Sequence, residues 1–107
     1  EDDMESMVEY GLSVVNNEPE EALRMYHEAI SLYEGNDRKY PLPVEIIDLS
    51  IAIVLNIAKV DIQQAINLLD IIEVEEFRIE TIDNLIEKTD DEKYKIVLEK
   101  MKEEGLE

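Results

Sequence analysis

Few residues of this chain have the type and spacing that chemistry requires. His27 is the sole histidine, and it stands on a charged helical face between Tyr26 and Glu28. An imidazole in a nucleophilic relay needs a hydroxyl or thiol on one side and an orienting acid on the other. No serine or second histidine is placed to complete such a set, so His27 reads as a surface residue. Carboxylates are abundant, in runs at Glu18, Glu20 and Glu21, at Glu73, Glu75 and Glu76, and in "EGNDRKY" and "KTDDEKY". A calcium loop needs alternating oxygen ligands closed by a bidentate glutamate, and neither quoted stretch has that order. A carboxylate pair for glycoside chemistry needs a cleft, which nothing in the sequence indicates. There is no glycine-rich phosphate loop. Cysteine is absent, which excludes disulfides, thiolate catalysis and cysteine-bound zinc. The expectation is a protein with no catalytic residues, no cofactor and no metal.

The composition directs attention to binding. Within 107 residues, 28 acids face 10 bases, a net charge of −18. A field of that sign repels nucleic-acid phosphates and anionic lipid headgroups and favours basic or neutral partners. The charge is uneven. Residues 1–23 hold eight acids and no base, whereas residues 41–72 hold four acids and one base, Lys59. The longest apolar stretch, "IAIVLNIA", is too short to span a bilayer. The N-terminus is acidic and unlike a signal peptide. Together with the missing cysteines this points to the cytoplasm, and a start at Glu1 suggests an excised domain.

The elements that would position these groups are all helical, and the length suits a single domain over 1–107. A first helix is expected over 3–15, with Met4, Met7, Val8, Leu12 and Val15 as its apolar stripe. A tight turn at 16–18 leads to Pro19 at the start of a second helix over 19–33. "EGNDRKYPLP" is the one long connection, expected to be irregular with Tyr40 packed and Asp37, Arg38 and Lys39 exposed. Gly35 suits the end of one helix and Pro43 the start of the next, over 44–58. That third helix is apolar around most of its circumference, with only Glu45, Asp48, Asn56 and Lys59 in a narrow polar stripe, and reads as central and buried. Asp61 caps a fourth helix reaching about Val74, with the run of Glu73, Glu75 and Glu76 expected at its end. A fifth follows over 76–87, and a sixth, capped by Thr89 or Asp90, runs to about 104. No period-two strand is present.

Ala22, Tyr26 and Ala29 in "EPEEALRMYHEAISLY" set small, large and small side chains on one face, so that a second helix can approach closely. This segment with its preceding turn resembles the second helix of a tetratricopeptide (TPR) repeat. "KVDIQQAINLLDII" repeats the shape with Ala65, Leu69 and Ile72, and "KTDDEKYKIVLEKM" with Tyr94, Leu98 and Met101. The copies are degenerate, spaced 43 and 29 residues apart. The resemblance implies three antiparallel helical hairpins, about 3–33, 44–74 and 76–104, stacked as a short α-α superhelix. The "EEAL…Y…AI" segment is also similar to part of the MIT domain, over the first half of the chain only.

A stack of this kind implies a non-enzymatic protein-interaction module. Its acidic groove would take basic or amphipathic helical segments, with Tyr10, Tyr26, Glu45, Asp48 and Asn56 as the candidate partner-binding residues. A second reading is a structural or assembly domain. There the apolar face of the third and fourth helices would meet another copy or another domain. A designed helical protein without natural function is a third.

Overall fold

The structure, a computed structural model, describes residues 2–35 and 43–106. The expected placements of Asp37, Arg38, Lys39 and Tyr40 lie outside the described residues. Among those described, every regular element is helical: α1 (Asp2–Val14), α2 (Pro19–Gly35), α3 (Val44–Ala58), α4 (Ile62–Asn67), α5 (Glu75–Lys88) and α6 (Glu92–Leu106), with one 3-10 turn at Leu69–Ile71. The links α1–α2, α3–α4 and α5–α6 are too short to let the chain do anything but turn back, so consecutive helices pack as hairpins.

The hairpins lie side by side. Helix α3 touches α1, α2, α4 and α5, which makes it the centre of the domain, as its apolar circumference predicted. Ile46, Leu49, Ile53 and Val54 on it are at most 1% exposed. The molecule measures 43 × 33 × 16 Å. Two packed helices, about 8–10 Å between axes with backbone radii of about 2.3 Å, fill a thickness of that order. The domain is therefore a slab two helices deep.

Small residues set the closest approaches. Ala22, Ala29 and Ala65 are fully buried. At Gly11, an added Cβ would sit 3.0 Å from Cδ2 of Leu49 and 3.6 Å from Cβ of Met25, so α1 rests on both α2 and α3 at that point. The positions singled out in the three similar segments face inward in each case: Tyr26, Leu69, Ile72 and Leu98 are buried, and Tyr94 and Met101 are packed against the core.

Local signals account for most helix boundaries. The amides of Asn17 and Glu18 both donate to the carbonyl of Val14, closing the expected tight turn. Pro43 is the N-cap of α3 rather than its first residue, and its carbonyl accepts from Ile46 and Ile47. Asp61 caps α4 by accepting from the Gln64 amide at 3.3 Å. Two expectations are corrected. The cap of α6 is Asp91, whose Oδ1 accepts from the Lys93 amide at 3.0 Å, while the Thr89 hydroxyl accepts from Asp91 itself. Helix α4 does not reach Val74. It ends at Asn67, tightens into the 3-10 turn, and leaves Ile72 extended at φ −80°, ψ 98°. The early stop also re-seats the acidic run. Glu75 and Glu76 occupy the first turn of α5, where the positive end of the helix dipole favours them, instead of the end of α4.

Since Ala65 is fully buried at a helix contact, Ala65→Leu is expected to cost about 1–3 kcal/mol through overpacking. Urea denaturation checks this: a clearly lower midpoint supports the close helix contact, and an unchanged midpoint contradicts it.

Candidate functional site

Helix α1 contacts both α2 and α3 at Gly11. Met4, Val8 and Leu12, at a spacing of four, form a continuous ridge along the same inward half of the helix, with Val8 buried in the core and Leu12 at the exposed edge. This ridge faces the beginning of α3, and between the two lies a groove of about 270 Å³ lined by Met4, Val8, Leu12, Pro43 and Ile46, with Glu5, Glu9 and Glu45. The floor is apolar and every charged residue along it is a carboxylate. Glu5, Glu9 and Glu45 are exposed, and Leu12 remains 37% exposed at the mouth. Two larger hollows, of about 570 and 490 Å³, lie near Val60. The first is walled chiefly by polar side chains of the α1–α2 turn, and the second mixes Lys59 and Lys88 with Asp90. The first also carries only carboxylates, but just Pro19, Ile57 and Val60 are apolar among its lining, and the second has both signs of charge.

The five residues expected to bind a partner are not brought together. Glu45 lines the groove. Asp48 is exposed one turn further along α3. Tyr10 lies two positions from both Val8 and Leu12, and at about 100° per residue this turns it to another flank of α1. Its hydroxyl there supports the Glu21–Arg24 pair on α2. Arg24 reaches Glu21 at 2.7 Å and Glu28 at 2.6 Å, and its hydrogen bond holds the Glu21 carboxyl below the usual carboxylate range, with a smaller contribution from Tyr10. Asn56 is 9% exposed and turned onto its own helix, its Nδ2 donating to the carbonyl of Ala52 at 2.8 Å and its Oδ1 accepting from Lys59.

Tyr26 is the clearest correction. It is 3% exposed, and its hydroxyl donates to the carbonyl of Ile71 at 2.7 Å. The helix break after Asn67 explains the contact. Carbonyls that a continued helix would satisfy are released at the 3-10 turn, and they need donors where water has little access. Tyr26 supplies one to Ile71. Arg78 supplies another, its Nη1 donating to the carbonyl of Ile72 at 2.7 Å. Tyr26 is thus a core residue, and nothing bound in a surface groove reaches it. His27 stays on the surface as expected, its ring edge-on to Tyr26 with centroids 5.8 Å apart.

Met4, Val8, Leu12 and Ile46 were legible in the sequence only as core residues. The signal that they also line a groove is the pairing of the α1 ridge with flanking acids at Glu5 and Glu9. Among the described residues no three histidines or carboxylates cluster to hold a metal ion, and no helix is long and apolar enough to cross a membrane.

The fold and this groove define an all-α hairpin domain with an acid-rimmed apolar groove at one end. No family model, curated protein or solved structure matches the chain.

Burial pushes the Tyr26 hydroxyl up to about 12, with the charges of Glu73 and Glu34 adding to the effect. In the unfolded chain a tyrosine titrates near 10. Between those values only the unfolded state releases the proton. The stability is therefore complete below about pH 10 and falls by about 2–3 kcal/mol as the pH rises through the folded value. Tyr26→Phe is expected to lose about 1–3 kcal/mol at neutral pH, because it orphans the Ile71 carbonyl, and to flatten the alkaline fall. Denaturation series at pH 8 to 12 on both proteins measure the difference, and parallel curves would contradict the buried assignment.

Proposed function

We propose that the chain is a non-enzymatic protein-interaction module that takes a basic amphipathic helical segment in the groove between α1 and the beginning of α3. The observation that carries this reading is the apolar floor of Met4, Val8, Leu12 and Ile46 rimmed by Glu5, Glu9 and Glu45. An apolar channel accepts residues at helical spacing, and carboxylates on its edges select lysine and arginine on the flanks of the same helix. The three hairpins, with small or apolar residues buried at matching positions, support a TPR-like stack. In that reading nucleic acid and anionic membranes are not partners, and the cytoplasm is the fitting compartment.

The assembly reading has narrower support. Ile46, Ile47, Leu49, Ile53, Val54 and Ile57 are consumed inside the domain, which leaves Ile51, Leu55 and Ala58 half-buried beside exposed Val44 and Val60. This strip favours the second reading, but it is flanked by no charge pattern that would choose a partner.

A basic amphipathic peptide is expected to bind a dilute sample in the micromolar range, about −8 kcal/mol. Calorimetry gives the affinity and stopped-flow the rate. Leu12→Ser should weaken affinity by about 1 kcal/mol or more at any salt concentration, since it removes an apolar anchor. Glu5→Lys with Glu9→Lys should act mainly on the association rate, and its effect should shrink as salt screens charges beyond about 10 Å at 0.1 M. A panel of such peptides giving no heat and no rate at low salt removes the reading.

A further inference from the structure

The chain has no cysteine, so its only sulfur atoms are the thioethers of four methionines. Their surroundings differ. Met25 is 8% exposed and buried in the core. Met7 and Met101 are half-buried and pack against the core. Met4 is half-buried too, and it alone of the four lines the groove between α1 and α3. The rest of the floor, Val8, Leu12, Pro43 and Ile46, is hydrocarbon that mild oxidants leave alone. The floor thus holds a single readily oxidised atom, the Sδ of Met4. Around it, the carboxylates of Glu5, Glu9 and Glu45 repel anionic oxidants and leave neutral hydrogen peroxide free to enter.

We infer that Met4 is an oxidation site that closes the groove to its partner. The inference rests on the groove reading above and names how that site is regulated. The Met4 thioether attacks one oxygen of hydrogen peroxide. An S–O bond forms and the O–O bond breaks. The departing hydroxide takes the proton of the transferred oxygen and leaves as water. Sulfur loses two electrons and the peroxide gains them. The product is a sulfoxide, a polar group whose oxygen accepts hydrogen bonds. In the free protein the groove is open, so water meets that oxygen and the fold keeps its core. A bound helix removes this water and covers Met4 with its apolar stripe. The lining side chains give the oxygen no donor in exchange, because they are hydrocarbon or carboxylates that only accept. An acceptor buried without a partner penalises the complex and spares the free protein. Loss of the partner is therefore separable from loss of the fold. The change is also reversible. Methionine sulfoxide reductases return the thioether, the oxygen leaving as water while two thiols become a disulfide.

The test uses the whole chain with a leucine–lysine amphipathic helix as the probe. Calorimetry measures binding before and after limited exposure to hydrogen peroxide. Mass spectrometry of proteolytic fragments assigns each sulfoxide to its methionine. Oxidation at Met4 is expected to weaken binding about tenfold or more, with helicity by circular dichroism unchanged. Met4→Leu conserves volume, so it should bind the probe as the native chain does. It should also keep that affinity after the same exposure. Methionine sulfoxide reductase with dithiothreitol should restore the oxidised native chain. Bound probe should slow the oxidation of Met4 and leave that of Met101, on α6, unchanged. Full binding by a chain whose Met4 is the sulfoxide overturns the inference and keeps the groove. Equal losses in the native and Met4→Leu proteins overturn it as well, and move the effect to another methionine. A probe that fails to bind the unoxidised chain removes the groove reading itself, and this inference with it.

Discussion

A helix that stops inside a domain releases carbonyls, and the arrangement of this molecule depends on how those at Ile71 and Ile72 are met. The Tyr26 hydroxyl, donated from α2 across 45 residues of sequence, takes the first, and Arg78 from α5 takes the second. Both contacts converge on the few residues where the second hairpin passes into the third. Tyr26 lies between two fully buried alanines, Ala22 and Ala29, which let α2 come near enough for the hydroxyl to reach. The small–large–small face of α2 is therefore a packing surface and the mount of a donor at once. The first hairpin is tied to the far side of the second through it. Leaving that carbonyl bare would cost about 1–3 kcal/mol, a large share of the 5–15 kcal/mol by which a domain is stable.

Most of the fold was legible in the sequence because it rests on local rules. The turn at 16–18, Pro19, the apolar circumference of α3 and the Asp61 cap each act within a few residues of themselves, and each appears where those rules place it. The end of α4 was not legible. "INLLDIIEVEE" holds no glycine or proline to stop a helix, and its apolar residues continue the helical period. The carbonyls released there are met by distant donors, Tyr26 and Arg78. A tertiary contact of this kind has no signature in the segment it meets. The same gap misplaced the acidic run, which belongs to the favourable start of α5 once α4 ends early.

The candidate site was legible in its charge and illegible in its geometry. Eight acids without a base in residues 1–23 marked the first hairpin as the acidic wall, and Glu5 and Glu9 there do rim the groove. The anchors were misassigned because tyrosine is equally suited to a binding surface and to a core with one polar partner. Which of these it serves depends on whether a carbonyl waits within reach, and the carbonyl of Ile71 became available only through the helix break. Tyr10 differs from Leu12 by two positions, enough to turn it to the Arg24 flank.

Gly11 joins the core to the groove. With no side chain there, α1 settles on the methyl groups of Leu49, one helical turn from Ile46 in the groove floor. The distance between α1 and α3 at Gly11 thus sets the width of the channel along the Met4–Val8–Leu12 ridge. A side chain at position 11 would have to displace the Leu49 methyls, which stand 3.0 and 3.1 Å from its Cβ, or lift α1 away from α3. Lifting would widen the groove and separate Glu5 and Glu9 from Glu45, so that the carboxylates no longer converge on one bound helix. The feature that lets the core close is in this way the same one that gives the groove its depth and brings its charges together.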